Sequence, residues 1–199
     1  MTPAEDLAAR IRQQLQAEQQ PALGAFLADW PHSVERRVVA PAPLRVLRWL
    51  AHVAVDEDAH APALVAALCN AADSLQWRQS YGAKDLDDAF LDNYGWSEVL
   101  GTSGPLMSER IACGFLLLGP GTLYPRHRHQ AEEMYLPLSG IAAWQQGDAQ
   151  WREQRPGTAI HHAADEPHAM RTHDNPLLAL YLWRGKGLEK KAQLERAHA

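Results

Sequence analysis

His127, His129 and Glu133 lie within one short stretch that opens on Gly121 and closes on Gly140. Two histidines one residue apart project from the same face of a strand, because side chains alternate with a period of two. A single cation can therefore touch both. Glu133 follows after three residues that can turn or bulge the chain, and the bracketing glycines stand where turns are needed. Two imidazoles and a carboxylate suit Fe(II), Mn(II), Zn(II), Ni(II) or Co(II), and ligand type does not choose among these divalent ions. Tyr135, two residues beyond Glu133, shares its face of the strand. A phenol ordinarily titrates near pH ~10, and a divalent cation beside it favours the phenolate, which can act as a base. Tyr124, three residues before His127, is a second tyrosine placed to face the same pocket. Of the ten histidines in 199 residues, His32, His52, His60, His173 and His198 have no partner at ligand spacing and read as ordinary surface or turn residues.

The elements that must position this set divide near residue 95. Before it, Thr2-Pro3 followed by Glu5 and Asp6 marks a helix start: a hydroxyl cap, proline in the first turn and acids against the positive end of the dipole. Leu7, Ile11 and Leu15 continue it as an apolar stripe. Short helices are expected over 22–30 and 43–50, and a long alanine- and leucine-rich one over 62–77, with Leu64, Leu68 and Leu75 on one face. These helices carry no chemistry of their own. Their role is to pack on the strand-rich half or on a second subunit, so a homodimer is one expectation. From Trp96 onward, glycines and prolines punctuate short apolar runs, as in a small antiparallel barrel. Strands are expected over 111–118, 133–138, 141–146 paired with 149–155 across Gly147-Asp148, and 177–183. The last run lacks clean alternation, which predicts burial on both faces with the helices covering the outer one.

Composition narrows the function classes. The formal charge of −5, with no run of basic residues interleaved with aromatics, argues against nucleic acid and against an anionic membrane surface. The amino terminus lacks the apolar core of a secretory signal, and no window approaches the roughly 20 apolar residues of a membrane span, so a cytoplasmic address is expected. Cys69 and Cys113 sit in apolar runs and read as buried free thiols.

The stretch from Gly121 to Gly140 resembles the first signature of the cupin superfamily: Gly, five residues, His-x-His, three or four residues, Glu, six residues, Gly. A weaker match to the second signature begins at Pro156-Gly157 and ends at Pro167-His168, where Ala163-Ala164-Asp165 replaces the usual Pro-x-Gly. His168 is the preferred fourth ligand, with His161 and His162 as competitors. The resemblance implies a mainly β fold, a cupin (double-stranded β-helix, or jelly-roll) barrel over 96–188, with an α-helical N-terminal extension over 1–95 and a C-terminal tail over 189–199. Within the superfamily, the segments 124–140, 167–172 and 176–185 look like the cupin-type dimethylsulfoniopropionate (DMSP) lyases. That likeness implies a metal held by His127, His129, Glu133 and His168, Tyr135 as the base, a small carboxylate substrate bearing a sulfonium, and cleavage to dimethyl sulfide and acrylate. An aromatic face for the sulfonium is open to Trp183, Tyr181, Tyr81, Tyr94 or Trp96. The same residues also fit a cupin lyase or isomerase for another small carboxylate, an Fe(II) dioxygenase, or a non-enzymatic binding cupin.

Overall fold

The computed structural model describes residues 1–195, which leaves His198 outside the described residues. The chain begins with helix α1 (Pro3–Ala17), entered through a capping box in which Thr2 Oγ1 accepts from the Glu5 amide and the Glu5 carboxylate accepts from the Thr2 amide at 2.7 Å. Two of the orphan donors at the helix start are thereby satisfied. Leu7, Ile11 and Leu15 are fully buried, each stabilising the fold by roughly 1.5–3 kcal/mol of apolar burial. Helices α2 (Gly24–Ala28), α3 (Leu50–Val53) and α4 (Pro62–Ala71) follow, the second and third each preceded by a 3-10 turn. A one-turn helix, α5 (Asp88–Leu91), comes just before the main strands. Helix α4 is shorter than its composition predicts. Ser74 Oγ donates to the Ala71 carbonyl and Trp77 Nε1 to that of Ala72, drawing off the helix-end carbonyls, and the Trp77 amide donates to Ala42 instead.

Among the described residues thirteen strands run in chain order as β1 (Glu35–Arg36), β2 (Trp77–Arg78), β3 (Tyr94–Gly101), β4 (Leu106–Met107), β5 (Ile111–Leu118), β6 (Leu123–Arg128), β7 (Ala131–Ser139), β8 (Ala142–Gln146), β9 (Arg152–Gln154), β10 (Ile160–His162), β11 (His168–Thr172), β12 (Leu177–Gly185) and β13 (Gln193–Leu194). The larger sheet has the order β1-β4-β3-β5-β12-β7-β10 with β2 on β3, and the smaller the order β13-β6-β11-β8-β9. Together they form the cupin jelly roll with its helical N-terminal segment. The hairpin expected across Gly147-Asp148 is present, with Ala142 opposite Gln154 and Trp144 opposite Arg152. The segment after residue 188, expected as a tail, returns to the barrel and pairs Leu194 with His127.

Strand β12 shows why a continuous apolar run was needed. Leu178, Leu180 and Leu182 join the core shared with α1, α2 and α4, whereas Leu177, Ala179 and Tyr181 join the core between the sheets. The outer surface of the larger sheet is thus sealed by helices and the inner surface faces the site. Cys113 is buried in the outer core, and Cys69 is partly buried beside it; both are free thiols. No helix among the described residues is long and apolar enough to cross a membrane.

Candidate metal centre

The ligand set is assembled at the corner where the chain passes from one sheet to the other. His127 occupies β6 of the smaller sheet, His129 lies in the corner just past its end, and Glu133 is on β7 of the larger sheet. Antiparallel pairing of β11 with β6 sets His168 directly opposite His127. His129, Glu133 and His168 are all buried, and each offers a ligand atom within 4.8 Å of the other two. His127, expected as a further ligand, lies outside this group; its ring is 4.2 Å from that of His168 and 6.4 Å from that of His129, and it lines the cavity.

The three imidazoles are held in one tautomer by backbone carbonyls. His127 Nδ1 donates to Pro125 O at 2.8 Å, His129 Nδ1 to Ala131 O at 2.9 Å and His168 Nδ1 to Glu166 O at 2.9 Å. A carbonyl can only accept, so each Nδ1 carries a hydrogen and each Nε2 of a neutral ring keeps its lone pair. His129 Nε2 and His168 Nε2 then meet Glu133 Oε2 at 2.9 and 3.1 Å, and the His168 nitrogen makes no hydrogen bond there. The unpartnered His168 nitrogen and the carboxylate oxygen at this separation call for positive charge between them. A divalent cation of the borderline class supplies it, and the donor set fits such an ion.

The electrostatics agree. Burial works against the Glu133 carboxylate, but the neighbouring His129 and His168 overcome it and hold the group well below the usual carboxylate range. Burial, then His168, drives His127 well below the ordinary imidazole value. For His129 burial is likewise the largest influence and lowers the value, yet the Glu133 carboxylate outweighs it and the net shift is upward. The other Glu133 oxygen accepts from Trp183 Nε1 at 2.5 Å, and the Trp183 ring lies 4.2 Å from His129. Trp183, read from the sequence as an aromatic wall, is therefore also a support for the carboxylate.

Tyr135 lines the same cavity, and burial followed by the charge of Glu133 raises its phenol well above the ordinary value. Tyr124 stacks on His127 at 3.9 Å and shares its hydroxyl with Tyr81 at 3.2 Å and Tyr94 at 3.4 Å. The N-terminal segment thus reaches the ligand shell through Tyr81. Of the two competing histidines, His161 is exposed and pairs with Glu132 at 2.8 Å. His162 is fully buried, stacked on His168 at 4.0 Å with neither ring nitrogen hydrogen-bonded, and burial, then His168, brings it down to about 3. Composition does not separate these two neighbours; the pairing of β10 with β7 does, because it sets His162 opposite Glu133. His60 and His173, which have no role at the centre, bond to Glu18 and Glu153.

The cavity measures about 520 Å³ and reaches from His127, Glu133 and Tyr135 past Tyr181 and Trp183 to Trp96 and Glu98.

A family model described as dimethylsulfoniopropionate lyase matches residues 26–179. A dimethylsulfoniopropionate lyase, DddQ, of Ruegeria pomeroyi is 34% identical over 169 residues, covering 83% of this chain and 82% of its own. A protein of Cereibacter sphaeroides described as a putative dimethylsulfoniopropionate lyase, DddL, is 36% identical over 121 residues, covering 60% of this chain and 50% of its own. The crystal structure of the Ruegeria pomeroyi lyase superposes with a TM-score of 0.85 at 32% identity, covering 96% of this chain and 95% of that one. A chain from the crystal structures of the DMSP lyases RdDddP and RnDddQII superposes with a TM-score of 0.86 at 31% identity, covering 98% of each.

Proposed function

The chain belongs to the dimethylsulfoniopropionate lyase family, and from that membership we propose that it cleaves DMSP to dimethyl sulfide and acrylate by a divalent-metal-dependent β-elimination. The observation that carries the metal dependence is the convergence of His129 Nε2, His168 Nε2 and Glu133 Oε2 in a buried site, beside a tyrosine in the same cavity. His127, His129, Glu133 and His168 would hold the ion, and a substrate carboxylate is the group it would bind. When bound, the ion supplies positive charge that offsets Glu133, acidifies the substrate α-C–H and favours the Tyr135 phenolate.

The remaining work falls to side chains. Tyr135 takes the α-proton; the C–H electron pair becomes the C=C bond of acrylate; the C–S bond breaks and its pair leaves on sulfur as dimethyl sulfide. No electron is gained or lost overall. Tyr124, stacked on His127 and tied to Tyr81 and Tyr94, acts as a positioning residue that holds the imidazole plane. Trp183 does the same for Glu133. In this reading residues 96–188 carry the chemistry, and the helical segment 1–95 is the cover without which the outer face of the larger sheet would be wet. Headspace detection of dimethyl sulfide from purified protein and DMSP, with and without added divalent ion, tests the assignment. Release that needs the ion supports it, and no release with any divalent ion removes it.

A further inference from the structure

Strand β3 carries one charged residue among inward-facing aromatics. Tyr94, Trp96 and Glu98 share the inner face and all line the cavity, and Glu98 is 7% exposed. Acidic side chains are almost never buried unless paired. One oxygen of Glu98 is well satisfied: Oε1 accepts from the Ser103 amide at 2.6 Å, the Ser103 hydroxyl at 3.0 Å and the Gly104 amide at 2.7 Å. These donors are neutral and anchor the turn after β3. Among the described residues Oε2 takes no hydrogen bond and Glu98 forms no ion pair. Arg78, the nearby cation, donates to Ser103 O at 3.0 Å and lies 5.8 Å over the Trp96 ring.

The sheet register relates this carboxylate to the reacting end of the cavity. Glu98 pairs with Gly114, Gly114 with Tyr181 and Tyr181 with Tyr135, one row across four strands. Three strand steps span about 14 Å between backbones, and Glu98 and Tyr135 line the same cavity. The backbone of β3 closes over Gly114, where a Cβ would meet Ser97 O at 1.9 Å, so only glycine fits in this row. Trp96 and Tyr181 meet edge to face at 6.4 Å, as do Tyr181 and Trp183 at 6.3 Å, forming a wall along the row.

We propose that Glu98 Oε2 is the counter-charge for the cationic end of the substrate, so that the cavity selects zwitterions with an onium group over carboxylates with a neutral tail of the same shape. This rests on the lyase reading for the identity of the onium, but not for the preference itself. A buried carboxylate with one oxygen held by neutral donors and with no ion pair among the described residues is completed by a ligand cation, and contact with that cation favours its ionised form.

The test compares two non-reacting ligands of one shape, 3-(trimethylammonio)propanoate, whose amine is a poor leaving group, and its carbon isostere 4,4-dimethylpentanoate. Calorimetric titration of the metal-loaded protein is expected to show the cation bound about tenfold or more tightly. Glu98→Gln keeps an oxygen for the Ser103 and Gly104 donors and is expected to erase that preference while leaving the isostere's Kd within about twofold. Equal binding of the two ligands by the wild-type protein overturns the proposal without any variant; so does a Glu98→Gln protein that keeps the preference, or that loses both ligands equally. Dimethyl sulfide release is measured alongside. Release with no Glu98-dependent preference sinks this inference alone, and a Glu98-dependent preference with no release sinks the lyase reading alone.

Discussion

Nε2 of His168 faces Oε2 of Glu133 across 3.1 Å without a hydrogen bond between them. The Glu166 carbonyl holds the proton of His168 on the far nitrogen, so two acceptors confront each other in a buried place. Replacing Glu133 by Gln removes one charge and offers an N–H to that lone pair. Glu133→Gln is expected to hold at least about tenfold less metal, measured by elemental analysis after dialysis. Metal content equal to that of the wild type would remove Glu133 from the ligand set.

Tyr135 contributes a hydroxyl to a cavity in which the other groups bind or orient. Tyr135→Phe is expected to lower dimethyl sulfide release by about 10²–10⁴-fold, the range for loss of a general base, with metal content unchanged. Full turnover by the variant would assign the proton to another group.

Trp183 Nε1 donates to Glu133 Oε1 at 2.5 Å. Trp183→Phe keeps a ring beside His129 and deletes only the donor. Loss of such a supporting hydrogen bond weakens metal binding by about 10–100-fold, to be read by competition with a chelator of known affinity. Unchanged affinity would reduce Trp183 to a wall of the cavity.

Asp29, at the end of α2, accepts from Arg184 at 2.8 Å and Arg110 at 3.0 Å and so ties the helical segment to the barrel. Burial alone would raise its carboxyl, but the two guanidinium groups win and lower it. A carboxyl depressed in the folded state adds stability above its unfolded pKa, about 3.9, and loses it as pH falls through the folded value. Asp29→Asn is therefore expected to cost on the order of 1 kcal/mol at pH ~7, discounted for partial exposure, or a few degrees in Tm. The gap from wild type should close in melts carried to pH values below that of a free carboxyl; a gap that stays constant with pH would refute the ionic account.

Ile11 is fully buried between α1 and the rest of the outer core. Ile11→Ala is expected to destabilise the whole chain by about 2–5 kcal/mol, with a single unfolding transition seen by both tryptophan fluorescence and far-ultraviolet dichroism. Two separated transitions would make the helical segment an independent unit.

Much of the site was legible because ligand chemistry and strand geometry are both local. The two-residue step from Glu133 to Tyr135 specifies a face of β7, whereas His129 lies past the end of β6 and not on a strand face shared with His127. The capping box at Thr2 and Glu5 was equally readable, since all its partners lie within one turn. Helix α4 was overextended because its alanine and leucine content outweighed a competition among Ser74, Trp77 and distant Ala42 that only the folded chain reveals.

By itself the sequence determined the residue types gathered near Glu133 and the need to bury β12 on both sides, because each is a matter of residue identity and short periodicity. Which histidine meets Glu133 from across the barrel, that Trp183 serves the carboxylate, and that Glu98 stands in one row with Tyr135 were decided by strand pairing between residues far apart in the chain. Register is a property of two strands together, and one strand's sequence does not contain it.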